Sequence, residues 1–195
     1  MPAPGPFQEL VDTLNRLAIP YMVGGSLASS VHGIFRATND IDIVAAVREE
    51  DIPHLASGLA GNFYADPETM IQALHEARPF NLIHFVSGYK FDIFPAAGNP
   101  YFETQLARCT VQEIPLGEGE TIGCPVATAE DTILAKLGWY RAGGEQSERQ
   151  WNDVRGIRSV QGTLLDLTYM RKWAGHLKVD DLLERLLSEA EAEPE

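Results

Sequence analysis

The sequence predicts an α/β (α+β) fold, on three observations. Short apolar runs bounded by glycine, proline and aspartate recur as far as residue 127, the signature of strands. Stretches with apolar residues at helical spacing lie between them. From Thr128 onward only helical patterns remain, so the chain divides into a core over residues 1–127 and a C-terminal helical part over 128–195.

The elements follow in order. Phe7, Leu10, Val11, Leu14 and Leu17 mark a helix from Phe7 to Ala18, which Pro20 ends. Tyr21-Met22-Val23 is a short strand, and Gly24-Gly25-Ser26 is a turn into a helix that Gly33 closes. His32 stands at the end of that helix, where a cation is favoured, and reads equally well as structural or as substrate-lining. Asp40-Ile41-Asp42-Ile43-Val44 is the second strand. Arg48 to Gly61 and Pro67 to Arg78 read as helices, the latter capped by Asp66 with Pro67 at its first position. Phe80 to Val86 and Tyr89 to Phe94 read as strands joined by a tight turn at Ser87-Gly88. Pro100 to Ala107 suggests a helix, Cys109 to Ile114 a strand, and Leu116 to Pro125 a glycine-rich loop or short hairpin. Thr128-Ala129-Glu130-Asp131 matches a capping box with Asp in the acidic position, opening a helix to about Ala142 that Gly143-Gly144 breaks. Gln146 to Val160, Thr163 to Ala174 and Val179 to Ala190 read as further helices, with a frayed tail from Glu189.

Composition narrows the function classes. A length of 195 residues with 45% hydrophobic and 22% charged residues is ordinary for a soluble globular protein. No apolar run approaches the roughly 20 residues of a membrane span, and the N-terminal Met1 to Pro6 has no signal-peptide character. Cys109 and Cys124 are too few and too unpatterned for a disulfide framework or a zinc site, which points to a reducing cytoplasm. A net charge of −13 argues against a general nucleic-acid binder. One stretch runs the other way: Lys136 to Lys178 holds eight Lys/Arg against four Asp/Glu. That basic stretch can face a phosphate-rich substrate or simply balance the acidic front half.

The chemistry concentrates between Tyr21 and Val47. Glycines at a turn let backbone N–H groups approach an anion, and a helix starting near Ser26 offers its unpaired N–H groups and positive dipole end. Ser26 can cap that helix or bind a phosphate oxygen. Asp40 and Asp42 are two apart on a strand, so they share a face with Cα atoms roughly 6.5–7 Å apart. Carboxylates so placed repel unless a cation lies between them, and oxygen-only ligands suit Mg²⁺. Alone, a Gly-Gly-Ser is usually a turn and an Asp-Ile-Asp-Ile usually a half-exposed strand. In this order, separated by one short helix, they resemble the signature of the nucleotidyltransferase (DNA polymerase β-like) superfamily. With Arg36 and Thr38 leading into the aspartate pair, the resemblance is closest to the abortive-infection-type nucleotidyltransferase toxins and related bacterial nucleotidyltransferases.

The resemblance implies a small, mixed, twisted nucleotidyltransferase sheet flanked by helices, then the helical part, with the active site in the cleft between. It implies that Asp40, Asp42 and Asp92, the last on Lys90-Phe91-Asp92-Ile93-Phe94, hold two Mg²⁺ ions, Asp92 also receiving the nucleophile's proton. Gly24, Gly25 and Ser26 would hold the phosphates of an NTP, with Arg36, Thr38 and Lys90 beside them. Leu134-Ala135-Lys136-Leu137, Arg141 and Asp153-Val154 are similar to the toxins' second half. Lys136 would then bind the triphosphate and Asp153 act nearby, although Asn152 stands where the family often has Arg. The implied reaction moves a nucleoside monophosphate from an NTP to a hydroxyl. A tRNA 3′ end, a protein side chain or a small molecule such as an aminoglycoside is the acceptor, and a cognate antitoxin is an expected partner of a toxin. The rival reading is a non-catalytic nucleotide- or partner-binding module that retains the fold.

Overall fold

The computed structural model describes residues 5–35, 38, 40–117 and 120–191. The strands are β1 (Tyr21–Val23), β2 (Asp40–Ala45), β3 (Phe63–Tyr64), β4 (Phe80–His84), β5 (Lys90–Pro95), β6 (Thr110–Gly117) and β7 (Glu120–Val126). They form one seven-stranded mixed sheet in the order β3-β4-β5-β2-β1-β7-β6. β2 runs parallel to β5 and β1 parallel to β7, while the remaining neighbours are antiparallel. The helices are α1 (Pro6–Arg16), α2 (Gly25–His32), α3 (Ile52–Leu59), α4 (Pro67–His75), α5 (Pro100–Arg108), α6 (Ala129–Ala142), α7 (Glu148–Gln161), α8 (Leu167–Leu177) and α9 (Asp180–Glu191). Among the described residues no helix is long and apolar enough to cross a membrane.

Two units emerge. One comprises Met1–Gly24 and Thr38–Val126; the other comprises Gly25–Ala37 and Ala127–Glu195. The first contains the sheet, buried on both faces at β1 and at the end of β2 and on one face along β4 and β5. Ile41, Ile43, Phe80, Leu82, Phe91 and Ile93 are all buried and point one way. Phe7 of α1 stacks on Phe91 with ring centroids 6.2 Å apart, and α1, α3 and α4 pack in series along this unit. Burying each large apolar side chain contributes about 1.5–3 kcal/mol. A one-residue slip of β2 or β5 would expose that set and bury the aspartates between them, so the register is firmly specified.

The second unit is a helical assembly in which α2 packs on α6 and α7, and α8 and α9 close against them. Gly33, just after α2, lies so near α7 that a Cβ there would sit 2.8 Å from the backbone nitrogen of Ile157. His32 is also engaged here: its Nε2 lies 2.7 Å from the Ala127 carbonyl, and its own carbonyl accepts from Gln161.

Several boundaries differ from the sequence reading for identifiable reasons. Of the two readings of Leu116 to Pro125, a loop or a short hairpin, the hairpin pairing is the one formed, but it is longer: β6 pairs antiparallel with β7 from Thr110 opposite Val126 to Gly117 opposite Glu120, and β7 joins the sheet beside β1. The turn between β4 and β5 is not tight at Ser87-Gly88. It spans residues 85–88, closed by His84 N donating to Tyr89 O, with Gly88 at φ +70°. The helix placed at Thr163 starts at Leu167, because Asp166 caps it by accepting from Tyr169 N. Glu189, read both within the last helix and at the start of a frayed tail, is helical and accepts a hydrogen bond from Trp151 Nε1. The caps at Asp66 and Thr128 form as expected.

Candidate active site

On the side of β2 and β5 opposite Ile41, Ile43, Phe91 and Ile93, the parallel pairing organises the polar side chains. Asp40 lies opposite Lys90, and Asp42 opposite Asp92. Alternation along each strand sends all four side chains to the same face, giving a two-by-two array of three carboxylates and one ammonium. Asp40 is exposed; Asp42, Lys90 and Asp92 are half-buried.

Lys90 is the cation in this array. Its Nζ lies 2.9 Å from Asp92 Oδ2. Its pKa is raised, first by the hydrogen bond to Asp92 and further by the charges of Asp92, Asp40 and Asp42, against the opposing effect of burial. Four groups from two strands thus share one electrostatic field, and that field favours positive charge. Asp92's other oxygen, Oδ1, accepts from the side chain of Asn81, which stands directly opposite on β4. Sequence reasoning missed Asn81. The turn placed at Ser87-Gly88 pairs Asp92 with Ile83, whereas closure at His84–Tyr89 shifts the partner to Asn81.

Gly24 adjoins the array, its N–H donating to the Asp42 carbonyl at 2.8 Å. A Cβ added there would meet only that carbonyl, at 3.9 Å, so the backbone is open to a close approach. Gly25 has φ +53°, a left-handed conformation that glycine adopts without penalty, and it starts α2. Ser26 therefore lies inside the first turn rather than at the cap, and its carbonyl accepts from Ser30 Oγ. Thr38 holds the entrance of β2: its hydroxyl donates to the Asp40 carbonyl at 3.0 Å. Arg36 lies outside the described residues.

The other expected residues belong to the helical unit. Lys136 is 3% exposed in mid-α6, and its Nζ donates to Asp153 Oδ2 at 2.7 Å and to Gln150 Oε1 at 3.0 Å. Half of the eight cations in the basic stretch around it, Lys136 included, are paired with acids within the unit. Arg141 pairs with Asp181 and Glu145, Arg155 with Glu189, and Arg171 with Glu184. The acidic tail supplies three of those partners, a balance that a linear charge count does not reveal.

Among the described residues no group of three or more His, Cys, Asp and Glu side chains is gathered closely enough to hold a metal ion. The donor chemistry nevertheless fits Mg²⁺, since Asp40 and Asp42 present hard carboxylate oxygens on one face. Asp92 is the exception as it stands, since Lys90 and Asn81 bind its two oxygens.

No protein-family model matches the chain, and no curated protein is detectably similar to it. Solved structures do resemble it. The antibiotic-resistance factor ANT(2″)-Ia in solution aligns with a TM-score of 0.51 at 13% identity, covering 87% of this chain and 91% of that one. An antigenic nucleotidyltransferase-like protein from Paracoccidioides brasiliensis aligns with a TM-score of 0.51 at 19% identity, covering 87% and 89%. At these identities the likeness shows the fold alone: the mixed sheet with its helices is shared with both structures.

Proposed function

We propose that this chain is a Mg²⁺-dependent nucleotidyltransferase that moves a nucleoside monophosphate from an NTP to an acceptor hydroxyl. The observation that carries the reading is the register of β2 on β5, which sets Asp40, Asp42 and Asp92 on one face beside Gly24. Asp40 and Asp42 would hold Mg²⁺, with Asp92 joining them when it leaves Lys90. Bound there, the metal supplies Lewis-acid charge to the phosphates and lowers the pKa of the acceptor hydroxyl.

The chain's own groups do the rest. At Gly24 the backbone leaves room for a phosphate to approach, the Gly24 N–H itself being held by the Asp42 carbonyl. The acceptor oxygen forms a bond to the α-phosphorus, the bond to pyrophosphate breaks, and Asp92 takes the hydroxyl proton. Lys90 compensates negative charge on either side of that exchange. Lys136, paired with Asp153, holds the helical unit in one arrangement.

The acceptor is best read as a small molecule in the cytoplasm. Four of the eight cations in the basic stretch that favoured RNA are engaged in ion pairs, which counts against the tRNA and toxin readings. Growth arrest on expression, relieved by a cognate antitoxin, would restore them. The non-catalytic alternative draws its support from Asp92 and Lys136, both held by internal partners.

The test is incubation with Mg²⁺, each α-labelled NTP in turn and a cell extract, with Asp40→Ala as control. Label that enters a small-molecule fraction and requires Asp40 supports the reading. Equal labelling by the variant, or none by either, overturns it.

A further inference from the structure

The array of carboxylates does not end at β5. In register, Lys90 is followed outward by Ile83 on β4 and then by Tyr64 on β3. Asp40, Lys90, Ile83 and Tyr64 therefore form one continuous row across that face, beside the row of Asp42, Asp92 and Asn81. Tyr64, on the two-residue edge strand β3, is 49% exposed and Ile83 38%. The packed face of the same strands holds Phe63 and Leu82, both buried, so the core has no need of the outer pair. Two strand spacings put Tyr64 roughly 10 Å from Lys90, the span of one or two sugar or aromatic rings.

We infer that Tyr64 and Ile83 form the acceptor subsite, a platform on which a small hydroxyl compound with a flat apolar face lies so that its hydroxyl reaches Asp92. The inference rests on the transferase reading above and adds to it the place and chemical class of the acceptor. Three features select the occupant. The platform is flat and apolar, which suits a ring face. It borders three carboxylates in a chain of net charge −13, which disfavours a polyanion. Its row leads to Lys90 and its neighbouring row to Asp92, so a ring seated on Tyr64 points along the sheet toward the group that receives the proton. Tyr64 and Ile83 are positioning residues: they orient the acceptor and take no part in bond making.

Binding measured without NTP or metal separates this inference from the transferase reading. The probes are phenyl β-glucoside (neutral), phenyl β-glucosaminide (cationic) and oligouridylate (polyanionic), followed by saturation-transfer NMR. The unsubstituted chain should bind one or both phenyl glycosides, the preferred one giving the sign of the charge selected. Tyr64→Ala should weaken that binding fivefold or more, Tyr64→Phe should restore it, and Val111→Ala, at an exposed apolar position on β6, should not affect it. Unchanged circular dichroism of Tyr64→Ala confirms that the fold is intact; if it is lost, Ile83→Ser takes its place with the same expectation. Absence of glycoside binding, binding indifferent to both substitutions, or tighter binding of oligouridylate overturns the inference. Glycoside binding that depends on Tyr64, without Asp40-dependent label transfer, overturns the transferase reading alone.

Discussion

Two lysine–aspartate pairs of nearly equal length occupy opposite environments in this protein. Lys90–Asp92, at 2.9 Å, lies on the carboxylate face of the sheet with side chains 40% and 19% exposed. Lys136–Asp153, at 2.7 Å, is enclosed among helices with side chains 4% and 13% exposed. A pair whose ammonium water still reaches, as at Lys90, contributes about 0–1 kcal/mol, because water solvates the separated ions almost as well. Breaking a buried pair from one side costs about 3–5 kcal/mol, because the remaining charge has no solvent. The first pair can therefore exchange partners during a reaction cycle. The second holds a fold together.

The largest effect should come from Lys136→Ala, with a loss of about 3 kcal/mol and a fall in Tm of several degrees as Asp153 loses its partner. Lys136→Ala combined with Asp153→Ala should recover part of that stability in denaturant titration. Equal losses for the single and double variants would mean the pair has no special weight. Next, Asp92→Asn should reduce transfer by about 10²–10⁴-fold while Tm moves by no more than a degree or two, since it removes the proton acceptor and leaves an isosteric group beside Lys90. A large Tm change would make Asp92 a structural acid.

Asn81→Ala, which frees Asp92 Oδ1, should cost about tenfold in kcat with little change in the NTP KM. Its pH–rate profile should shift along with the loss, whereas a merely structural asparagine would leave the profile in place. Lys90→Ala should change stability by less than about 1 kcal/mol. A loss as large as that of Lys136→Ala would erase the contrast between the pairs.

The smallest effect is alkaline. Burial pushes Tyr21 and Cys124 both up to about 12. The unfolded chain ionises these groups first, so their contribution is complete below about pH 8.5 and falls as pH rises towards 12. Lys90, with its pKa also raised, loses its contribution in the same direction as pH passes through its folded value. Urea midpoints at pH 7, 9 and 10.5 should fall in that order, and Cys124 should resist alkylation at pH 8.5 while the chain is folded.

Much of this molecule is written in relations a few residues long. The alternation of Asp40-Ile41-Asp42-Ile43 sends charge to one face and apolar groups to the other, whatever lies alongside. Asp66 and Thr128 cap their helices through a hydroxyl or carboxylate and an N–H three residues on. Those relations were legible in the sequence because they need no distant partner. Tertiary structure decided which strands meet. Nothing within Lys90 to Pro95 specifies β2 as its parallel neighbour, or opposes Asp92 to Asp42 on one side and Asn81 on the other. Those pairings follow from burying Ile41, Ile43, Phe91 and Ile93 together, a condition that no short window contains. The same holds for Lys136, whose place in mid-helix reads as solvated until α7 brings Gln150 and Asp153 over it. Local chemistry determined the parts of this protein; burial of distant side chains against one another determined which of them face each other.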